Sequence, residues 1–426
     1  MQTIYIGYDH FDQRETFHNG APNDNCAWLQ YRGIYLNLDW NQLWLRRERT
    51  APETELVEVD ALTFEGKYVY PINAFCSEIA LFGDMGHSGG KGMDEKAFFG
   101  NFIDAKVLDD LSEGRVLLHI NFIHETYRYD DTHMERLHEF LKEFNINPIY
   151  VLLSADNHRL QRDYDKWADK NGIGMGEKIQ IMETSFGEVG VESYGNSLGT
   201  RRVSTDVIKY DFTLNQRRFY FFNTMNTDKS YRIEIADWIE LSKLEKKILY
   251  SALWKGRRIP EKYHWPYDPD KYGVEPDDIT RSNFDVDLNQ FHYLKNPYYH
   301  AYCEIVTETV FDSSTIQMSE KTFKPLFNLM PFILVGGAGH LERLRSYGYK
   351  TFPSIFDESY DLVEDDRQRM QMIKSEIKRI CNMPHNTLHN KYYEIIDDLV
   401  HNRDVFYQYN EGLRFLPKMI KMIGNL

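Results

Sequence analysis

The sequence predicts an α/β protein made of two Rossmann-like halves with a helical C-terminal tail. Apolar runs such as RVLLHINFIHE (115–125) are too short for a free-standing helix and suit central parallel strands. Segments such as THMERLHEFLKEFNI (132–146) repeat apolar residues at helical spacing. Midway, SFGEVGVESYGNSLGTRR (185–202) breaks the pattern with glycine, serine and charge, after which strands and helices start again.

In chain order, TIYIGY (3–8) reads as a buried first strand, followed by an acidic loop with Asp9 and Asp12. GDMGHSGGKGMDEK (83–96) reads as a loop, and FFGNFIDAKVLDDLSEG (98–114) as a helix stopped by glycine. The strand at 115–125 leaves Glu125 at its carboxyl end. The helix at 132–146 and a strand at NPIYVLLSADN (147–157) complete a strand-helix-strand unit. RRFYFFN (217–223) restarts the pattern as a strand, with a helix over 231–244. The proline- and tyrosine-rich RRIPEKYHWPYDPDKYGVEPDD (257–278) excludes regular structure. YHAYCEIVTETVF (299–311) is β-prone, SEKTFKPLFNLM is a short helix and PFILVGG a strand. AGHLERLRSYG is a helix ended by Gly348, KTF (350–352) a strand, and the chain from Tyr360 onward mostly helical. The domains so defined are 1–205, 206–390 and a tail at 391–426.

Fifty basic against 65 acidic side chains leave a net charge of −15. That disfavours a long phosphate-tracking surface and permits a local basic cleft. Cys26, Cys76, Cys303 and Cys381 form no C-x-x-C pair, so neither a zinc knuckle nor a disulfide framework is indicated, and a reducing cytoplasm is expected. The first residues lack the basic start and apolar stretch of a signal peptide, and no run approaches a membrane span. A soluble, uncleaved protein is expected.

The chemistry concentrates in QMSEKTFKPLFNLMPFILVGG (317–337). Ser319 sits where an N-cap belongs, so the N–H groups of the next turn point outward. That helix terminus favours an anion, which Lys321 and Lys324, three residues apart on one face, would reinforce. Glu320 suits ribose hydroxyls, and the VGG turn lets backbone approach a ligand or a packed helix. Together they suggest a nucleoside diphosphate at the carboxyl edge of the second sheet. The same residues also read as an ordinary solvated helix start, since serine caps and surface lysines are common.

The ordered series ETVFDSSTIQMSEKTFKPL, PFILVGGAGHLERLRSYGYKTF and DESYD resembles the C-terminal half of glycosyltransferase-like proteins of tailed bacteriophages. Within it, an acid upstream of Ser-Glu-Lys is similar to the donor-site motif of the family 10 fucosyltransferases. The resemblance spans residues 217–380; in the N-terminal half it rests on YVYPI (68–72) and the strand ending at Glu125. It implies a GT-B-like architecture, two Rossmann-like domains facing a cleft, with a nucleotide sugar held largely by the C-terminal domain. The motif falls on Glu308, Ser319, Glu320 and Lys321. The asparagine that follows the acid in fucosyltransferases is Thr309 here, which leaves the sugar open. The segment RRFYFFNTMNTDKSYR (217–232) resembles the phage proteins' strand-Asn-loop-Arg and adds Asn223 and Arg232 as base or phosphate contacts. In DESYD, Asp357 or Glu358 either caps the next helix or touches the donor sugar.

Sugar transfer from a nucleoside diphosphate passes through an oxocarbenium-like state, so the leaving diphosphate is to be neutralised and the acceptor hydroxyl deprotonated. Lys321, Lys324 and Arg232 are the nominees for the first task. Glu125 is the nominee for the base, with Asp9 as rival and His119 and His124 behind. His119, within an apolar strand, also reads as a hydrogen-bonded core histidine. DPD (268–270) and DVD (285–287) mimic a metal-binding D-x-D, but the first is more simply a turn, so no metal is expected and no cofactor beyond the nucleotide sugar as co-substrate. SGGKG (88–92) fails the P-loop pattern and HETYR (124–128) the zinc-protease pattern.

The expected function is a metal-independent, cytoplasmic glycosyltransferase, monomeric or homodimeric and in the host cytoplasm if phage-encoded. Its acceptor hydroxyl belongs to a glycan or, as the phage resemblance implies, to a hydroxymethylated pyrimidine in DNA. Arg201 and Arg202, Arg217 and Arg218, and Lys255 to Arg258 either line a groove for such DNA or lie solvated on the surface. An inactive nucleotide-sugar- or carbohydrate-binding module and a structural or assembly protein are the alternatives.

Overall fold

The computed structural model describes residues 2–9, 54–73, 100, 103–122, 127–183, 217–225, 227–259 and 300–408. Their elements form two compact units, one between residues 2 and 183 and the other between 217 and 408. The expected domain boundary at 205 to 206 lies outside the described residues.

The first unit is a parallel sheet of β1 (Gln2–Tyr8), β2 (Thr54–Asp60), β3 (Tyr68–Asn73), β4 (Val116–Phe122), β5 (Val151–Ala155) and β6 (Gln180–Glu183), in the order β2-β1-β3-β4-β5-β6. Helices α1 (Ala105–Ser112), α2 (Asp131–Glu143) and α3 (Leu160–Lys170) lie between the later strands in sequence. The helix expected over 98–114 begins only at Ala105, because the Asp104 carboxylate accepts from the Lys106 N–H and caps it there. It ends at Ser112, two residues before Gly114, whose φ of +72° suits glycine. The strand expected from 147 starts as a 3-10 turn, Pro148–Tyr150, capped by Asn147, and becomes extended only at Val151. No strand was expected at TELVEVD, where β2 forms; it is an edge strand paired with β1, which is why its residues alternate between half-buried and exposed along 57–60.

β3 carries Pro71 in a central strand, where the missing N–H normally argues against one. The strand pairs with β4 along six residues but with β1 only at Ile6 and Val69. Pro71 lies two residues beyond Val69, on the same edge, and so ends the β1–β3 ladder short of the carboxyl end of β1.

His119 in β4 is fully buried, with Nε2 2.7 Å from the Ser154 hydroxyl oxygen on β5. This is the core histidine that the sequence allowed. Burial pushes its pKa down to about 3, well below the ordinary value near 6.5 of the unfolded chain. The unfolded state therefore binds the proton first, and stability present above pH 6.5 is lost as the pH falls from there toward 3. His119→Asn is expected to flatten the pH dependence of the unfolding free energy, obtained from urea titrations, by about 1.4 kcal/mol per pH unit between pH 6 and 4. Equal slopes for the two proteins would remove this assignment.

The second unit is a four-stranded parallel sheet of β7 (Phe219–Asn223), β8 (Ile248–Tyr250), β9 (Ala301–Thr307) and β10 (Phe332–Val335), in the order β10-β9-β7-β8. The helices are α4 (Ser230–Leu241), α5 (Glu320–Phe327), α6 (His340–Ser346), α7 (Asp366–Cys381), α8 (His385–Glu394) and α9 (Ile396–Gln408). Every residue of β7, β9 and β10 is buried, which explains why these strands are apolar apart from Asn223, Glu304 and Thr307. The strand expected at 350–352 is absent because side chains take its N–H groups: Lys350 donates to Asn402 and Phe352 to Glu358. Residue 391, where the tail was expected to begin, lies inside α8, and α9 packs on α5. Arg217 is neither solvated nor groove-lining: it is buried, donating to the Ala301 carbonyl at 2.7 Å and the Tyr392 hydroxyl at 3.0 Å. Cys303 and Cys381 are buried free thiols. Among the described residues, no helix is long and apolar enough to cross a membrane.

Numbered within each unit, both sheets run 2-1-3-4, the first continuing to 5 and 6. The strand order therefore reverses next to the first strand of each unit, between β1 and β3 and between β7 and β9. In open α/β sheets, such reversals beyond the carboxyl ends of the strands are where ligands sit.

Candidate functional site

Most of the nominated donor-site residues come together beyond the carboxyl ends of β7 and β9, at the reversal of the second sheet. Asn223 is the last residue of β7, Thr307 the last of β9, and Glu308 follows it. The loop from Glu308 returns to Ser319, whose hydroxyl accepts from the Lys321 N–H at 3.3 Å and caps α5. The first turn of α5 thus opens at this edge.

Glu308 is fully buried, and its carboxylate has four donors. One oxygen accepts from the Ser319 N–H at 3.2 Å and from the Thr322 hydroxyl; the other accepts from the Ser319 hydroxyl at 2.5 Å and the Thr309 N–H at 3.0 Å. The acid of the motif therefore fastens the end of β9 to the start of α5. Lys321 folds back over that start, its ammonium 3.3 Å from the Ser319 hydroxyl oxygen and 3.4 Å from that of Thr309. Glu320 is the first residue of α5, and its side chain lies outside the described part of the structure. Lys324, in contrast to Lys321, stands in the last turn of the helix, at the opposite end of the dipole.

The far side of the loop is held by α4. Arg232, 4% exposed, donates to the carbonyls of Thr307 at 3.2 Å and Glu308 at 2.9 Å and to the Thr227 hydroxyl. The Tyr231 hydroxyl donates to the Glu308 and Thr309 carbonyls, its ring lies 5.5 Å from that of Phe311, and burial raises its pKa to about 12. Lys229 donates to the Thr309 carbonyl at 2.6 Å. Asn223 donates to the Ile305 carbonyl across the reversal. Its Oδ1, the Thr307 hydroxyl oxygen and the Arg232 Nε are buried with no hydrogen-bond partner among the described residues. Both ring nitrogens of His340 at the start of α6 share that state, and burial lowers the pKa of this imidazole despite the nearby carboxylates of Glu308 and Asp361.

Arg369 on α7, 1% exposed, binds the loop from beneath. It donates to the carbonyls of Phe311 at 2.5 Å, Gly336 at 3.0 Å and Val363 at 2.8 Å, and to Ser313 and Asp366. A Cβ on Gly337 would stand 2.7 Å from the Thr315 carbonyl oxygen and 3.0 Å from that of Asp312. Gly337 thus admits this loop, and Gly336 admits the first residue of α6, since a Cβ there would stand 3.1 Å from the His340 Nδ1.

Asp357 stands apart from this group. It is exposed and caps the 3-10 helix Glu358–Leu362, and the Ser359 hydrogen bonds hold its carboxyl below the usual range. Glu358 accepts from Phe352 N–H at 2.6 Å and the Thr351 hydroxyl at 2.8 Å. In the first unit, Asp9 follows β1 at its own reversal, 7% exposed, accepting from the Tyr70 hydroxyl at 2.9 Å. Glu125, His124, Arg201, Arg202 and both D-x-D stretches lie outside the described residues.

No family model and no curated protein matches the chain. Two solved structures are similar to it. One, an α,α-trehalose 6-phosphate synthase from Burkholderia multivorans, is 10% identical, with 76% of this chain and 69% of that one covered and a TM-score of 0.36. The other, an α,α-trehalose-phosphate synthase (UDP-forming) from Burkholderia vietnamiensis, is 13% identical, with 76% and 81% covered and a TM-score of 0.32. A likeness of this degree fixes neither fold nor substrate.

Proposed function

We propose that the protein is a glycosyltransferase that moves a sugar from a nucleoside-diphosphate donor to an acceptor hydroxyl, as the resemblance of residues 217–380 implies. The observation that carries the reading is the first turn of α5, which opens at the β7/β9 reversal with the Lys321 ammonium folded over it. N–H groups and an ammonium at one point suit the charge that grows on a departing diphosphate. Asn223, Arg232, Glu308, Ser319, Glu320, Lys321 and Lys324 remain the donor side of the proposal. Within it Glu308 and Arg232 hold the loop in place, and Lys321 meets the phosphate.

For the acceptor, Asp9 is proposed as the base, since it follows β1 at the reversal of its own sheet. Glu125, the first nominee from the sequence, lies outside the described residues and is kept as the other candidate. The acceptor is a glycan or a hydroxymethylated pyrimidine.

Lys321→Ala is expected to weaken donor binding about 10- to 100-fold, the worth of one charge-assisted hydrogen bond, with little change in melting temperature. The measurement is a thermal-shift and calorimetric screen of UDP-, GDP- and CMP-sugars, followed by release of the diphosphate with candidate acceptors. Binding unchanged by the substitution would sink the donor site. Tight binding without release of diphosphate would replace the transferase with a binding module.

A further inference from the structure

His340, the first residue of α6, was not nominated from the sequence. Its imidazole is 1% exposed, and neither ring nitrogen has a hydrogen-bond partner among the described residues. A neutral imidazole carries one N–H donor and one acceptor, so both are taken out of water with nothing in return. A phenyl ring would suit that place better, and the imidazole sits there at a cost to the fold.

The elements packed around it carry charge. Asp361 follows its backbone closely: the Asp361 carbonyl accepts from the Gly339 N–H at 2.7 Å, and the carboxylate from those of Leu341 at 3.0 Å and Glu342 at 3.1 Å. On another side Nδ1 lies against Gly336, and the residue before it, Val335, accepts from the Glu308 N–H at 3.0 Å. Burial favours the neutral ring over the pull of these two carboxylates, Glu308 and Asp361. The cations on neighbouring elements oppose a proton as well. They are Arg369 of α7, on the Gly336 carbonyl at 3.0 Å, and Lys321 of α5, 3.3 Å from the Ser319 hydroxyl oxygen. On α6 itself Glu342 is exposed, and Arg343 lies 5.1 Å from the centre of the Tyr347 ring.

Glu308 also adjoins the proposed donor site, since one of its oxygens is 2.5 Å from the Ser319 hydroxyl that caps α5. A diphosphate at the first turn of α5 brings negative charge up to this carboxylate. Between buried groups such charge is weakly screened, so it tips the balance at His340 toward the proton.

We infer that His340 takes up a proton from solvent when a diphosphate docks at the first turn of α5 and returns it on release. It acts through Glu308, as a positioning residue that does not touch the ligand. The inference rests on the donor site proposed above. Since the bound state holds the proton more tightly than the free one, donor affinity rises as the pH falls.

The test uses the full chain with UDP-, GDP- and CMP-sugars, whose phosphates are esterified on both sides and exchange no proton near neutral pH. Calorimetric titration in buffers of different ionisation enthalpy counts the protons. Wild type is expected to take up about half a proton at about pH 6 and to bind about threefold more tightly there than at about pH 7. His340→Gln and His340→Phe are expected to bind without that uptake, with affinity flat over the same range. Melting temperatures show which variants are folded, and His340→Phe is expected to melt no lower than wild type. In wild type alone, the NMR titration of the His340 ring is expected to move to higher pH when the donor is bound. An unmoved titration, or equal proton uptake in wild type and a folded variant, overturns the inference and leaves the donor site standing. If none of the nucleotide sugars binds, the donor site itself is wrong and the inference falls with it.

Discussion

Glu308→Gln is expected to cost about 2–4 kcal/mol of stability and to abolish donor binding, although it changes one oxygen to an amide nitrogen. The reason lies in how the four donors divide. Each carboxylate oxygen accepts one backbone N–H, from Ser319 on one side and Thr309 on the other. Hydroxyls rotate to suit a new partner, but backbone N–H groups do not. Whichever way the glutamine amide is turned, its NH2 faces a donor, and a buried N–H loses its acceptor. Ser319→Ala or Thr322→Val removes one hydroxyl partner and is expected to cost about 1 kcal/mol. Urea midpoints at constant m-value measure these losses. A glutamine tolerated within about 1 kcal/mol would mean that the carboxylate is not the fastening described here.

Arg369→Met is the second large effect, expected at about 3–5 kcal/mol. Methionine fills similar space but leaves the carbonyls of Phe311, Gly336 and Val363 without the donor that now serves them all. Arg369→Lys is expected to recover less than half of this, because one ammonium cannot direct its hydrogens toward three separated carbonyls as a planar guanidinium does. The loop from Phe311 to Ser319 loses its support from below, so donor affinity is expected to fall in both variants. Chemical unfolding and donor titration of the same samples check the two effects. A methionine variant as stable as wild type would contradict the account of the loop.

The strands were legible as apolar runs because both sheets are buried on their faces, and the α5 cap was legible because Ser319 and Lys321 are close in sequence. What the sequence hid was the use made of its arginines. Arg232 was expected to meet a base or phosphate and Arg369 was not singled out, yet each occupies an apolar stripe: Arg232 with Ile235, Ala236 and Ile239, and Arg369 with Ile373, Ile377 and Ile380. A cation at a stripe position was the available signal. Most of its partners were not, because the carbonyls of Thr307, Glu308, Phe311 and Gly336 lie dozens of residues away, and composition carries no trace of them. Lys229 is hidden for the same reason, since its partner is the Thr309 carbonyl. Pro71 was legible only as a member of a family-like string, because proline inside a central strand contradicts local preference.

The reversed strand order also bears on how the chain is made. β7 is flanked by β8, which follows closely, and by β9, whose Ile305 meets Asn223 from 82 positions further along the chain. At a ribosomal pace of about 5–20 residues per second, one edge of β7 stays bare for roughly 4–16 s after it emerges. Until its neighbour arrives, that edge offers unpaired peptide groups to any other nascent chain, so crowded polysomes are where this fold is most exposed to aggregation.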